Sequence, residues 1–101
     1  MPSKPVTNIS DPRYVKALSH PLRVRILALL QERTASPREL AEWLDATLGT
    51  VSYHVGIMHG LGALELAGES QVRGAIEHFY ALSDDHRLRA VIDALRPFAE
   101  R

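Results

Sequence analysis

Asp45 and Ala46 alone separate two short runs of helical periodicity, and this junction constrains the fold more than any other stretch. Upstream, Ser36-Pro37-Arg38-Glu39 has the S-x-x-E pattern of a capping box. Proline follows the cap at the first helical position, where its missing N–H is no loss. The pattern predicts a helix over 37–44, with Leu40, Trp43 and Leu44 on its inner face. Downstream, the Thr47 hydroxyl can accept from an otherwise orphan backbone N–H and open a second helix. There Val51, Val55, Met58 and Leu61 fall on one apolar stripe. Gly62, just past the stripe, supplies a left-handed stop. Two short helices joined by so tight a turn form a helix-turn-helix.

The outer face of the second helix, about 48–61, carries Gly49, Thr50, Ser52, Tyr53 and His54. No Asp or Glu occurs between Asp45 and Glu65. A face of neutral hydrogen-bonding groups can lie in a DNA major groove without repelling phosphates. The plainer reading is an ordinary core helix, since most amphipathic helices only pack.

The flanking segments decide between them. Residues 1–10 hold two prolines and no periodicity, and read as a flexible arm. Asp11-Pro12 caps a first helix over 12–18, with Tyr14, Val15 and Leu18 on its apolar face. Ser19-His20-Pro21 breaks and restarts the chain. The run LRVRILALLQ, 22–31, is a second helix with Leu22, Ile26, Leu29 and Leu30 inward, and Arg23 and Arg25 on a solvated face. After Gly62, a short strand (63–67), a loop bracketed by glycines (68–74) and an alternating strand (75–82) predict a hairpin with a long tip. Ser83 caps a last helix over 84–99, striped by Leu88, Val91, Ile92, Leu95 and Phe98. Pro97 should kink or end it near Arg96. The expected fold is mainly α with a small β-hairpin, in the order α-α-α-α-β-β-α. That is a winged helix-turn-helix, a single domain over 11–101.

Composition narrows the function. With 101 residues the chain has room for one domain and a modest core. It has no cysteine, so disulfides, thiolate metal sites and thiol redox sensing are excluded. Twelve basic and twelve acidic residues give a net charge of zero. Residues 1–60 hold seven bases and five acids, a balance of +2, and residues 61–101 hold five and seven, −2. Any DNA affinity should therefore be moderate and salt-sensitive. The N-terminus has no apolar core that would make a signal peptide, and no run reaches the ~18–20 apolar residues of a membrane span. The cytoplasm is the expected location. Paired carboxylates in a loop, a phosphate-binding glycine motif and a nucleophile elbow are all missing from the sequence, so no enzyme and no cofactor is expected.

The motifs then point to a family. Ala17-Leu18-Ser19-His20-Pro21-Leu22-Arg23-Val24-Arg25-Ile26-Leu27 resembles the "L-x-H-P-x-R-x-x-I-L" opening of the ArsR-type winged-helix repressors. SPRELAEWL, 36–44, resembles their "S-x-x-E-L-A-x-x-L" helix, and TVSYHV, 50–55, their "T-V-S-x-H-L". Leu61-Gly62-Ala63-Leu64 and His78-Phe79-Tyr80-Ala81-Leu82 resemble the two sides of their wing. The match runs unbroken over about 17–82.

This resemblance implies a homodimeric regulator on a palindromic operator of double-stranded DNA. The helix after the turn would read the major groove, and the wing would reach a flanking minor groove or backbone. By position, Ser36, Arg38, Thr47, Gly49, Thr50, Ser52, Tyr53 and His54 would meet DNA, with Gln71 and Arg73 on the wing. Tyr14, Val15 and Leu18 with the stripe of the last helix would form the dimer interface. The chain departs from the pattern in two ways. Its recognition helix has no Lys, Arg, Asn or Gln, the best sources of bidentate base contacts. It also carries glycines at 49, 56 and 60.

Many members of that family sense metals through cysteines on the third helix, which has none here. Others use carboxylates and histidines on the last helix, where Asp84 and His86 would be half of a set without a second half. No metal is expected, and the resemblance leaves room for an unknown small-molecule or protein effector. His54 and His59 flank the proposed groove face, where protonation would add charge near phosphates. Packing of His20 and His54 as partly buried polar groups is the simpler reading. Zero net charge and the missing basic readers support a second function: a winged-helix protein-interaction module that no longer binds DNA.

Overall fold

The computed structural model describes residues 11–99, with the side chains of Phe98 and Ala99 outside the description. The expected arm at 1–10 also lies outside the described residues. The elements are α1 (Pro12–Ala17), α2 (Pro21–Leu30), α3 (Pro37–Leu44), α4 (Leu48–Gly60), β1 (Leu64–Val72), β2 (Ala75–Leu82) and α5 (His86–Ala99). This is the expected winged helix-turn-helix order.

Local capping accounts for the helix starts. Asp11 Oδ1 accepts from the Arg13 N–H at 3.0 Å, and each of α1, α2 and α3 has proline at the start of its first turn. The capping box of α3 is complete: Ser36 Oγ accepts from the Glu39 N–H, and Glu39 Oε1 from the Ser36 N–H. Thr47 Oγ1 accepts from the Thr50 N–H at 3.2 Å. The break at Ser19-His20-Pro21 is itself a cap, since His20 Nδ1 accepts from the Leu22 N–H at 3.1 Å. The chain turns after α3 through Asp45 (φ 54°) and after α4 through Gly62 (φ 83°).

One core is assembled from every helix and the base of the hairpin. Ile26 and Leu27, Leu40, Val51, Val55 and Met58, Leu64, and Leu88 and Ile92 are all fully buried. The inward face of α2 is rotated from the expected one. Val24, Leu27 and Ala28 join Ile26 and Leu30 inside, while Leu22 and Leu29 are only partly covered. Trp43, expected inside α3, is 40% exposed and lies under the Arg33 guanidinium, 4.5 Å from its ring centre.

The hairpin departs most from expectation. The presumed 68–74 loop is mostly strand, and the true tip is only Arg73-Gly74. Both tip residues have positive φ, 55° and 83°, as in the primed turns whose twist matches paired strands. β1 and β2 are antiparallel from Leu64↔Leu82 to Val72↔Ala75, with a bulge between Leu66 and Gly68. Ala35 pairs with Tyr80 through two backbone bonds of 3.1 and 2.8 Å, joining the approach to α3 to the wing.

The last helix also differs. It begins at His86, and the Asp85 carboxylate, not Ser83, accepts from the Arg87 N–H at 3.0 Å. Asp85 also accepts from the Tyr14 hydroxyl at 2.8 Å, so the selected cap is the one that α1 reaches. Pro97 lies inside the helix, which runs on past Arg96 to Ala99 although the proline cannot donate to the Asp93 carbonyl one turn back. Of the apolar stripe, Leu88, Val91 and Ile92 are buried where α5 packs on α2. Gln31 Nε2 donates to the Arg89 carbonyl, and Arg96 to the Ala28 carbonyl and Gln31 Oε1, across that seam. Tyr14 is buried as well, at 4% exposure. Buried within the chain, Tyr14, Leu88, Val91 and Ile92 leave little of their own surface for the expected dimer interface. Val15 is 52% exposed, and Leu18 and Leu95 are partly covered. The Phe98 side chain lies outside the described residues.

Candidate nucleic-acid interface

Spacing divides α4 into two faces. Val51, His54, Val55 and Met58, at i, i+3, i+4 and i+7, are buried against the core. Leu48, Gly49, Thr50, Ser52 and Tyr53 are exposed over the first two turns. Within this outer set, the Thr47 hydroxyl donates to Thr50 Oγ1 at 2.9 Å, so both threonines serve the cap before any ligand. Tyr53 is 61% exposed.

His54, expected on the outer face, is turned inward. It is 6% exposed and accepts at Nδ1 from Arg23 Nε at 3.0 Å. Its ring lies 4.6 Å from that of His20. Burial, then the charges of His20 and Arg23, hold its pKa below the ordinary value. Arg23 also donates to the Lys16 carbonyl at 2.8 Å, so one guanidinium ties the end of α1 to α4. The simpler packed reading holds for His54, whose i+3 spacing from Val51 puts it on the packed stripe although the resemblance put it in a DNA-facing motif.

Ser36 is likewise withdrawn from the exposed set, at 0% exposure. Its hydroxyl donates to Glu77 Oε2 at 2.5 Å while accepting from the Glu39 N–H. Arg38 reaches both Glu77 oxygens at 3.2 Å and Glu42 at 3.7 Å. Ser36 first, and Arg38 after it, hold the Glu77 carboxyl below the usual carboxylate range. Glu77 is thus a clamp between the wing and the start of α3, which sequence reasoning missed because its partner lies 41 residues away. The His59 and Tyr80 rings pack edge to face, their centres 5.4 Å apart, and add a second brace at the wing base.

Gln71 sits within β1 opposite Ile76, not in a loop, and Arg73 stands at the tip. Between α4 and the wing lies a cleft of about 480 Å³, lined by Leu48, Ser52, Val55, Gly56, Val72, Ile76 and Tyr80, with Arg38 and Glu77 at one side. Leu48, at i−3 from Val51 on the edge of the packed stripe, is half exposed there. Among the described residues, no three His, Cys, Asp or Glu side chains gather as a metal site requires, and no helix is long and apolar enough to cross a membrane.

Comparison with known proteins gives a consistent set. A family model described as a helix-turn-helix domain matches residues 18–67. The HTH-type transcriptional regulator CmtR of Mycobacterium tuberculosis is 38% identical over 80 residues, 78% of this chain and 63% of the relative. The chain thus spans somewhat under two thirds of that relative's length. The NMR structure of the same regulator, described as a cadmium metal-sensor, is 32% identical over 80% of this chain and 79% of that one, with a TM-score of 0.57. The transcriptional repressor BigR from Xylella fastidiosa is 26% identical, with a TM-score of 0.65 over 85% and 82% of the two chains. A homodimeric winged helix-turn-helix DNA-binding domain from Mycobacterium bovis shares the fold at 20% identity, with a TM-score of 0.68 over 87% and 76%.

Proposed function

Since the chain belongs to the ArsR-type winged helix-turn-helix transcriptional regulators, we propose that it binds duplex DNA as a homodimer and acts as a repressor. The observation that carries this reading is the outer face of α4: exposed, free of carboxylates, and flanked by a wing whose tip bears Arg73. In this reading Gly49, Thr50, Ser52 and Tyr53 enter the major groove, Thr47 sets the helix start, and Arg73 reaches the flanking backbone or minor groove. Two copies related by a two-fold axis would set two such helices about one DNA turn, ~34 Å, apart on a palindromic site. The outer surface of α1 and α5, with Val15, Leu18 and Leu95, is the remaining apolar ground for that axis.

Cadmium, the metal of the named sensor, does not suit this chain's donors. Soft metals want thiolates, and there is no cysteine. In this reading the residues of this chain would answer to a signal of another chemistry.

A second reading stays open on one observation. The hairpin carries Glu65, Glu69 and Glu77 against Arg73, an unfavourable balance beside phosphates. A winged-helix protein-interaction module would tolerate it. Fluorescence anisotropy against duplexes selected from a random pool separates the two. We expect specific binding with a shallow log K against log salt slope, roughly −3 to −6 for a dimer at ~0.9 per neutralised phosphate. No binding to any duplex at low salt would discard the DNA reading.

A further inference from the structure

Leu48 occupies the first helical position of α4, directly after the Thr47 cap, and is 50% exposed. The cap does not call for a leucine there, and its half-exposed side chain stands at the edge of the packed stripe, at the mouth of the cleft between α4 and the wing. The cap bonds run between Thr47 and Thr50, and the buried stripe is Val51, His54, Val55 and Met58. Tyr53, about 140° further round the helix, is 61% exposed. The helix that would read base edges thus offers an isobutyl group and a phenol, but no side chain able to grip a base bidentately.

The major-groove edge of a base pair offers donors, acceptors and one apolar feature, the C5 methyl of thymine. Arg and Lys select guanine, and Asn and Gln select adenine, through paired hydrogen bonds. A face without those residues cannot discriminate in that way, but an aliphatic group can bury a methyl. The N-terminal residues of a recognition helix are those that approach base edges, and Leu48 is the first of them. No carboxylate from 46 to 64 opposes a phosphate on approach.

We infer that α4 reads thymine methyl groups and that Leu48 is the specificity-determining residue, so the preferred site carries A·T pairs beneath the first turn of the helix. The inference rests on the DNA-binding reading above. Replacing thymine by uracil in the selected duplex removes the methyl and leaves every hydrogen-bonding group in place. Each methyl that Leu48 covers should strengthen wild-type binding about two- to fivefold, the scale of one buried methylene-sized group. Leu48→Ala keeps a good helix former at an exposed position, and should bind the thymine and uracil duplexes alike.

The measurement is anisotropy of the full chain with the selected duplex and its uracil copy, for both proteins. A wild type that binds its selected site specifically but does not distinguish uracil overturns the inference and leaves the DNA reading intact. So does a Leu48→Ala variant that still distinguishes them. A wild type that binds no duplex overturns both, and leaves the exposed face to a protein partner.

Discussion

The inner face of α4 and the wing sit side by side, but they are held by different means. Val51, Val55 and Met58 are essentially without exposure, and they fix the helix by area removed from water. Of the seventeen strand residues, nine in β1 and eight in β2, only Leu64 and Leu82 at the base are buried. The wing is instead placed by a few directional contacts: the Ala35–Tyr80 backbone pair, and Glu77 on Ser36 and Arg38. Burial is non-directional and large, while hydrogen bonds are directional and individually small. The helix therefore carries stability, and the wing angle can be set almost independently of it.

Paired truncations would break this contrast most directly. Met58→Ala should destabilise the protein by about 2–5 kcal/mol, through lost burial and the cavity left behind. Ile76→Ala, at 58% exposure on the wing, should stay within about 0.5 kcal/mol of wild type. Urea denaturation of both variants measures the difference. Comparable losses would mean that the wing, too, is held by burial.

A smaller effect sharpens the polar side of α4. Burial, with the charges of His20 and Arg23, keeps His54 neutral in the fold, and its Nδ1 must stay unprotonated to accept from Arg23. The unfolded chain takes up this proton near its ordinary pKa of 6.5, and the folded chain only at lower pH. The unfolded state then binds more protons in between. Stability from this site is full above about pH 6.5 and is lost as pH falls toward the folded pKa. Melting temperature measured from pH 8 to pH 5 should fall more steeply for wild type than for His54→Gln, whose amide oxygen can still accept from Arg23. Parallel curves would show that His54 titrates as it does in water.

How much of this was legible depends on the range of each cause. Helix starts at Asp11, Ser36 and Thr47 were readable because a cap and its target lie within three residues. The winged order followed from periodicities that are likewise local. The start of α5 was not, since Ser83, Asp84 and Asp85 are all capping types, and a tyrosine 71 residues away selects among them. Periodicity placed a stripe on α5 but could not say what covered it, and α2 packs on its Leu88, Val91 and Ile92. The outer part of β1, 68–72, reads as loop because a strand exposed on both faces needs no alternation. In the candidate site, the outer face of α4 was visible as spacing. The inward turn of His54 follows from its local spacing to Val51, whereas the Glu77 clamp needed a contact from an element distant in sequence.

The wing tip supplies the smallest stability effect and the clearest separation of stability from function. Arg73 holds φ at 55°, a left-handed conformation that costs an ordinary side chain roughly 1–2 kcal/mol. Asparagine is among the residues that tolerate it, and Asn-Gly is a preferred pair for this two-residue turn. Arg73→Asn should therefore leave the hairpin intact and raise stability by a few tenths to about 1 kcal/mol. If Arg73 meets a phosphate, the same variant should bind all duplexes more weakly and reduce the salt slope by about one per subunit. Stability up with affinity down would show a tip strained for the sake of a contact. Stability up with affinity unchanged would show that the wing does not touch DNA, and that α4 alone carries whatever binding the protein has.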